Sequence, residues 1–106
     1  MKETAALRAL AALAQASRLR VFRALVVAGP QGSTPTEIAK RMKLSPATLS
    51  FHLKELTGAG LIRQQRSGRN LIYRADYAVM KSLMDYMTEN CCRGDARGAG
   101  VPAGPC

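Results

Sequence analysis

Between Thr34 and Leu61 the sequence TPTEIAKRMKLSPATLSFHLKELTGAGL writes two helix starts in close succession. Thr34 can cap the first, Pro35 suits a first helical position where no backbone donor is needed, and Glu37 stands three residues after the cap to complete a capping box. Ser45-Pro46 repeats the device. Ile38, Ala39 and Met42 fall at i, i+1 and i+4, and Leu49, Leu53 and Leu56 at i, i+4 and i+7, so each helix has one stripe to bury. Gly58 and Gly60 stop the second helix. The stretch predicts two short helices joined by a tight turn.

Such a pair is a helix-turn-helix candidate, whose second helix would be the one laid in a DNA major groove. Leu61 to Arg66 and Asn70 to Arg74 then read as strands around Ser67-Gly68, a hairpin whose tip carries Arg66 and Arg69. Helix, turn, helix and basic-tipped hairpin make a winged-helix arrangement.

From about Leu7 to Met87 the chain resembles the ArsR/SmtB family of small winged-helix repressors that release DNA on binding metal or metalloid ions. The matching stretches are LAALAQASRLRVFRAL at 10–25, LSPATLSFHLKELTGAGLI at 44–62 and RSGRNLIYR at 66–74. The resemblance implies a mainly α protein with a β-hairpin wing, working as a homodimer on double-stranded operator DNA.

A chain of 106 residues forms one domain near the lower size limit for a self-sufficient core, and a partner subunit would help. No run of about 18 apolar residues and no signal-peptide pattern is present, which predicts a cytoplasmic protein without membrane contact. The net charge of +9 matters chiefly through its distribution. Lys40, Arg41, Lys43, Lys54, Arg63, Arg66, Arg69 and Arg74 crowd residues 36–76, against Glu37, Glu55 and Asp76. A basic surface on a helix-turn-helix and its wing suits a polyanion, with strongly salt-dependent binding.

Glu3 to Ala16 predicts a first helix with Leu7, Leu10, Leu13 and Ala14 on one face, an apolar face that needs cover. Ser17 is the expected cap of a second helix reaching about Val27, with Leu19, Val21, Phe22, Leu25 and Val26 as core candidates. Where some relatives carry an arsenite-binding cysteine cluster on the third helix, Pro35, Thr36, Glu37, Ile38 and Ala39 offer no thiol. With Leu49, Leu53 and Leu56 buried, Ala47, Thr48, Phe51, Lys54 and Glu55 fall on the far side of the recognition helix and Ser50 at its edge. Ala47, Thr48, Ser50 and Phe51 are the expected base contacts, unless Phe51 turns inward as a core aromatic. Lys43, Ser45 and Lys54 are expected at phosphates, and Arg66 and Arg69 at the neighbouring minor groove or its phosphates.

Relatives with a zinc site on the last helix carry an Asp-x-His pair; Asp76-Tyr77-Ala78 keeps only the aspartate, so zinc is not expected. His52, the only histidine, reads as a packing or phosphate-contacting residue. Asp76 can cap a last helix running to about Asn90, on which Tyr77, Met80, Met84, Met87 and Cys91 recur at three- and four-residue steps. Together with Leu7 and Leu10, this methionine- and tyrosine-rich stripe is the expected dimer interface. Two-fold symmetry would place the recognition helices ~34–36 Å apart on a pseudo-palindromic operator.

The sequence divides into a DNA-binding and dimerisation domain at 1–92 and a tail at 93–106, RGDARGAGVPAGPC, with almost nothing to bury. Cys91 and Cys92 precede the tail and Cys106 closes it. Adjacent cysteines have Cα atoms ~3.8 Å apart, too close for an ordinary disulfide. As a dithiol the pair suits a soft ion, and three thiolates without histidine match As(III) or Sb(III) better than four-coordinate zinc. A tail of this length spans roughly 20 Å, enough for Cys106 to join the pair. The resemblance points the same way, since some arsenic-responsive relatives carry their thiols beyond the dimer helix. A thiol redox sensor, with Cys106 bonding Cys91 or Cys92, and a sensor of cadmium or lead are the alternatives. An enzyme is not expected: the cysteine pair ends a helix, where the dipole raises thiol pKa, and no catalytic triad or carboxylate pair is present.

Overall fold

The computed structural model describes residues 1–93. Helix α1 (Glu3–Leu13) leads to α2 (Ala16–Ala28), a short 3₁₀ turn (Gly29–Gln31), α3 (Pro35–Met42) and α4 (Pro46–Gly58). Strands β1 (Ile62–Ser67) and β2 (Asn70–Ala75) form an antiparallel hairpin, and α5 (Tyr77–Thr88) follows. The expected class, mainly α with a β-hairpin wing in a winged helix-turn-helix, is the class observed. No helix of the described residues is long and apolar enough to cross a membrane.

One core joins all the helices to the base of the wing. Val21, Phe22 and Leu25 of α2, Ile38 of α3, Leu49, Leu53 and Leu56 of α4, Leu83 of α5, and Leu61, Ile62 and Ala75 at the hairpin's foot are buried together. Helix α1 enters this core through Ala6, Ala9 and Ala12, small side chains that let its backbone sit close to its neighbours. Its larger residues Leu7 and Leu10 point outward and Leu13 is half-buried, so the apolar face expected to need cover is the one the core leaves uncovered.

Three local expectations are corrected. Helix α2 is capped by Gln15, whose Oε1 accepts from the Arg18 backbone N–H at 2.8 Å, and not by Ser17. The switch follows from α1 ending at Leu13 and not at Ala16, which leaves an extended residue at 15 to act as the cap. Leu19 is 42% exposed: Val21, Phe22 and Leu25 define the buried arc of α2, and residue 19 lies outside it. Helix α5 ends at Thr88, short of Asn90, and Leu83, absent from the expected stripe, is its buried residue.

Two junctions fix the hairpin. Ser33 and Tyr73 exchange backbone hydrogen bonds of 2.9 and 2.8 Å, clipping the segment before α3 to β2. Gly32 makes the clip possible, since it sits at φ +67°, ψ −164°, and a Cβ there would strike the Tyr73 carbonyl oxygen and approach Ile72 Cγ2 to 2.8 Å. At the other end Asp76 caps α5 through the Val79 N–H (3.2 Å) and accepts a 2.7 Å charge-assisted bond from Arg63 Nε. Burial pushes the Asp76 pKa up; the Val79 amide and the Arg63 guanidinium outweigh it and leave the pKa below the ordinary value.

Candidate nucleic-acid interface

The helix-turn-helix is built by its caps. Thr34 Oγ1 accepts from the Glu37 N–H at 3.2 Å while Glu37 Oε1 accepts from the Thr34 N–H at 3.0 Å, closing the capping box. The Thr34 backbone N–H is the leading cause of the lowered Glu37 pKa. Lys43 takes the left-handed conformation (φ 56°, ψ 44°) and its N–H and that of Leu44 return to the Ala39 carbonyl, turning the chain sharply. Ser45 Oγ then caps α4 by accepting from the Thr48 N–H at 3.2 Å. Leu49, Leu53 and Leu56 hold α4 to the core, as their spacing predicts.

That packing leaves Ala47, Thr48, Ser50, Phe51 and Lys54 exposed on the outer face of α4. Phe51 points out, 55% exposed, so its outward reading holds over the inward one. Its ring lies 6.0 Å from the Arg18 guanidinium, within cation–π range, and edge-on to His52 at 6.0 Å. Arg18 is steadied by donating from Nε to the Ala12 carbonyl at 2.8 Å. Lys43 and Ser45 are exposed at the start of the helix, and Arg66 and Arg69 are exposed at the tip of the wing. The tip itself is a two-residue turn, Gly68-Arg69 between the paired Ser67 and Asn70, with Gly68 at φ +62°.

His52 departs from a phosphate role. It is buried on the inner flank of α4, and its Nδ1 has no hydrogen-bond partner among the described residues. Desolvation first, and the nearby Arg18 charge second, hold its pKa below the ordinary histidine value. Sequence reasoning also missed the notch between helix and wing, lined by Ser50, Lys54, Thr57 and Gly58 of α4 and by Gln64 and Tyr73 of the hairpin. The Tyr73 hydroxyl donates to Gln64 Oε1 at 2.9 Å across the strands; the register pairing 64 with 73 could have signalled this only once the turn was known.

Of the expected interface residues on α1 and α5, Leu7, Leu10, Tyr77, Met84 and Met87 are exposed and Met80 is half-buried against the protein's own core. The Cys91 and Cys92 sulfurs lie 3.7 Å apart, just past the end of α5. Cys106 and the rest of the expected tail beyond Arg93 lie outside the described residues. Among the described residues no three histidine, cysteine or acidic side chains gather around a common point.

A buried-stripe α4 carrying an exposed polar face, set beside a basic hairpin, defines a winged helix-turn-helix protein. More particularly, the chain belongs to the helix-turn-helix domain family, whose profile matches residues 13–65, half of its length. No curated protein sequence is significantly similar to it. Its fold is shared with an ArsR-like transcriptional regulator from Rhodococcus sp. RHA1 at TM-score 0.78, with 23% identity over 92% of this chain and 90% of that one. It is shared too with the homodimeric winged helix-turn-helix DNA-binding domain of a possible ArsR-family regulator from Mycobacterium bovis (TM-score 0.67, 20% identity, 95% and 89% covered). A third structure, described as a possible transcriptional regulator for arsenical resistance, matches at 28% identity and TM-score 0.60 over 83% and 93%. These relatives are described as regulators of transcription, not as enzymes.

Proposed function

We propose that the chain is an ArsR-type transcriptional repressor that grips operator DNA as a homodimer and lets go when As(III) or Sb(III) binds its cysteine thiolates. The observation that carries the DNA-binding part is the exposed outer face of α4, Ala47, Thr48, Ser50 and Phe51, on a helix capped by Ser45 and flanked by Arg66 and Arg69 of the wing. Small and hydroxyl side chains there approach base edges, Phe51 suits a thymine methyl, and Lys43, Ser45 and Lys54 meet phosphates. Dimerisation is supported by the outward Leu7 and Leu10 of α1 beside Tyr77, Met84 and Met87 of α5, with Met84 61% exposed in the single chain. A relative of the same fold is described as homodimeric, which supports a dimer.

The inducer reading rests on sulfur chemistry and on the arsenical-resistance description of one relative. Once reduced, two adjacent thiolates offer paired sulfur ligands to a soft ion. Cys106 would complete a three-sulfur pyramid. Because the pair follows the end of α5, ion binding there would alter how two subunits meet and so the spacing of their recognition helices, with a coupling typically of ~1–3 kcal/mol. The test is duplex affinity with and without arsenite for the reduced wild type and for Cys91→Ser. Arsenite should weaken binding by the wild type only; equal affinities throughout would reject the inducer, while no duplex binding at low salt would reject the DNA reading.

A further inference from the structure

Arg20, Arg23, Ala24 and Val27 share one face of α2, and Arg41 and Met42 end α3 opposite them. Together they line an open cleft of about 400 Å³ away from the outer face of α4. Its lining is partly apolar: Ala24 and Met42 are half-buried, and Val27 stands at its edge as the most exposed large apolar residue of the described chain, at 80%. Its rim is three guanidiniums. Arg20 and Arg23 stand at i, i+3, where like charges repel. Among the described residues the ion pairs are Arg63–Asp76 and Lys81–Asp85, neither of which touches the cleft. Glu37, one turn before Arg41 on α3, senses the Arg41 charge.

We propose that this cleft is a binding site for a small amphipathic organic anion, a carboxylate on an apolar chain or ring. The head would take bidentate bonds from the arginines, which match a carboxylate's two oxygens. The body would cover Val27, Ala24 and Met42, removing from water apolar surface that is left exposed among the described residues. About 400 Å³ lies within the range of small-molecule pockets, and the clustered guanidiniums beside apolar side chains fit a molecule with an anionic head and an apolar body. The site stands independently of the DNA and metalloid readings.

Calorimetric titration of the full chain with sodium octanoate tests it, with octanol as the uncharged analogue. Octanoate should bind at one site per protomer and octanol about tenfold or more weakly, the loss expected when charge-assisted bonds disappear. Arg20→Gln with Arg23→Gln, both exposed and outside the core, should cost octanoate a similar factor, and Val27→Asp should abolish binding. Lys2→Gln with Lys81→Gln, which removes the same charge elsewhere, should leave it intact. Absence of octanoate binding, equal affinity for octanol, or an undiminished arginine variant would each overturn the proposal. So would an arginine variant whose only defect is weaker duplex binding, since the arginines would then be phosphate contacts.

Discussion

Replacing Gly32 by alanine should be among the most damaging single-methyl changes available to this chain, and Gly29 supplies its control. Both glycines occupy nearly the same backbone region, φ +67°, ψ −164° at Gly32 and φ +75°, ψ −159° at Gly29. That region is essentially closed to other residues and costs them about 1–3 kcal/mol. The surroundings differ. A Cβ on Gly29 meets nothing within 4 Å, whereas on Gly32 it collides with the Tyr73 carbonyl and crowds Ile72. Backbone cannot swing aside as a side-chain tip can, so overpacking adds about 1–3 kcal/mol at Gly32 alone. Gly29→Ala should therefore lose about 1–3 kcal/mol and Gly32→Ala about 2–6 kcal/mol. Urea unfolding followed by far-UV circular dichroism, at one fixed protomer concentration, reads the difference. Equal losses in the two variants would refute the reasoning, because the Ser33–Tyr73 clip would then yield freely.

Asp76→Ala should cost about 1–2 kcal/mol at neutral pH, chiefly through the lost α5 cap, because the Arg63 side chain is 76% exposed and its pairing is screened. Since the folded Asp76 pKa is depressed, its contribution is full above the ordinary carboxylate range and fades as pH falls through it and below; urea midpoints across acid pH should decline less steeply in the variant. His52, with a lowered folded pKa, contributes in full above about pH 6.5 and opposes folding as pH falls and the unfolded chain takes up the proton; His52→Leu should flatten stability between pH 8 and 5. Arg66→Gln with Arg69→Gln should reduce the salt dependence of duplex binding by roughly one counterion per arginine, read from filter or anisotropy titrations at several salt concentrations. Leu10→Asp with Met84→Asp should give a folded monomer by sedimentation, and an unchanged dimer would remove α1 and α5 from the interface.

The helix-turn-helix was legible because its signals are local. Thr34, Pro35, Glu37 and Ser45 act within one turn of the helices they start, and three leucines at regular spacing mark the inner face of α4. The far side of that helix followed by subtraction. What escaped were decisions made by distant neighbours. Gln15 displaced Ser17 as a cap because α1 ended early, and Leu19 was excluded from a core whose arc is set by α4 and the wing. The alanine face of α1 lies inward because close helix approach outweighs the larger area a leucine could bury, a choice visible only when the neighbouring helices are in place. The Ser33–Tyr73 clip and the Arg63–Asp76 pair join residues far apart in sequence that carry no periodic signal.

Asp76 leaves no slack where hairpin meets last helix. Its amide donates to the Leu61 carbonyl at 2.9 Å, its carboxylate grips one strand through Arg63, and the same carboxylate starts α5. The start of α5 and the feet of both strands thus share one residue, chiefly through its backbone amide and its helix cap. Losing that one carboxylate would therefore unfasten the last helix and the hairpin together.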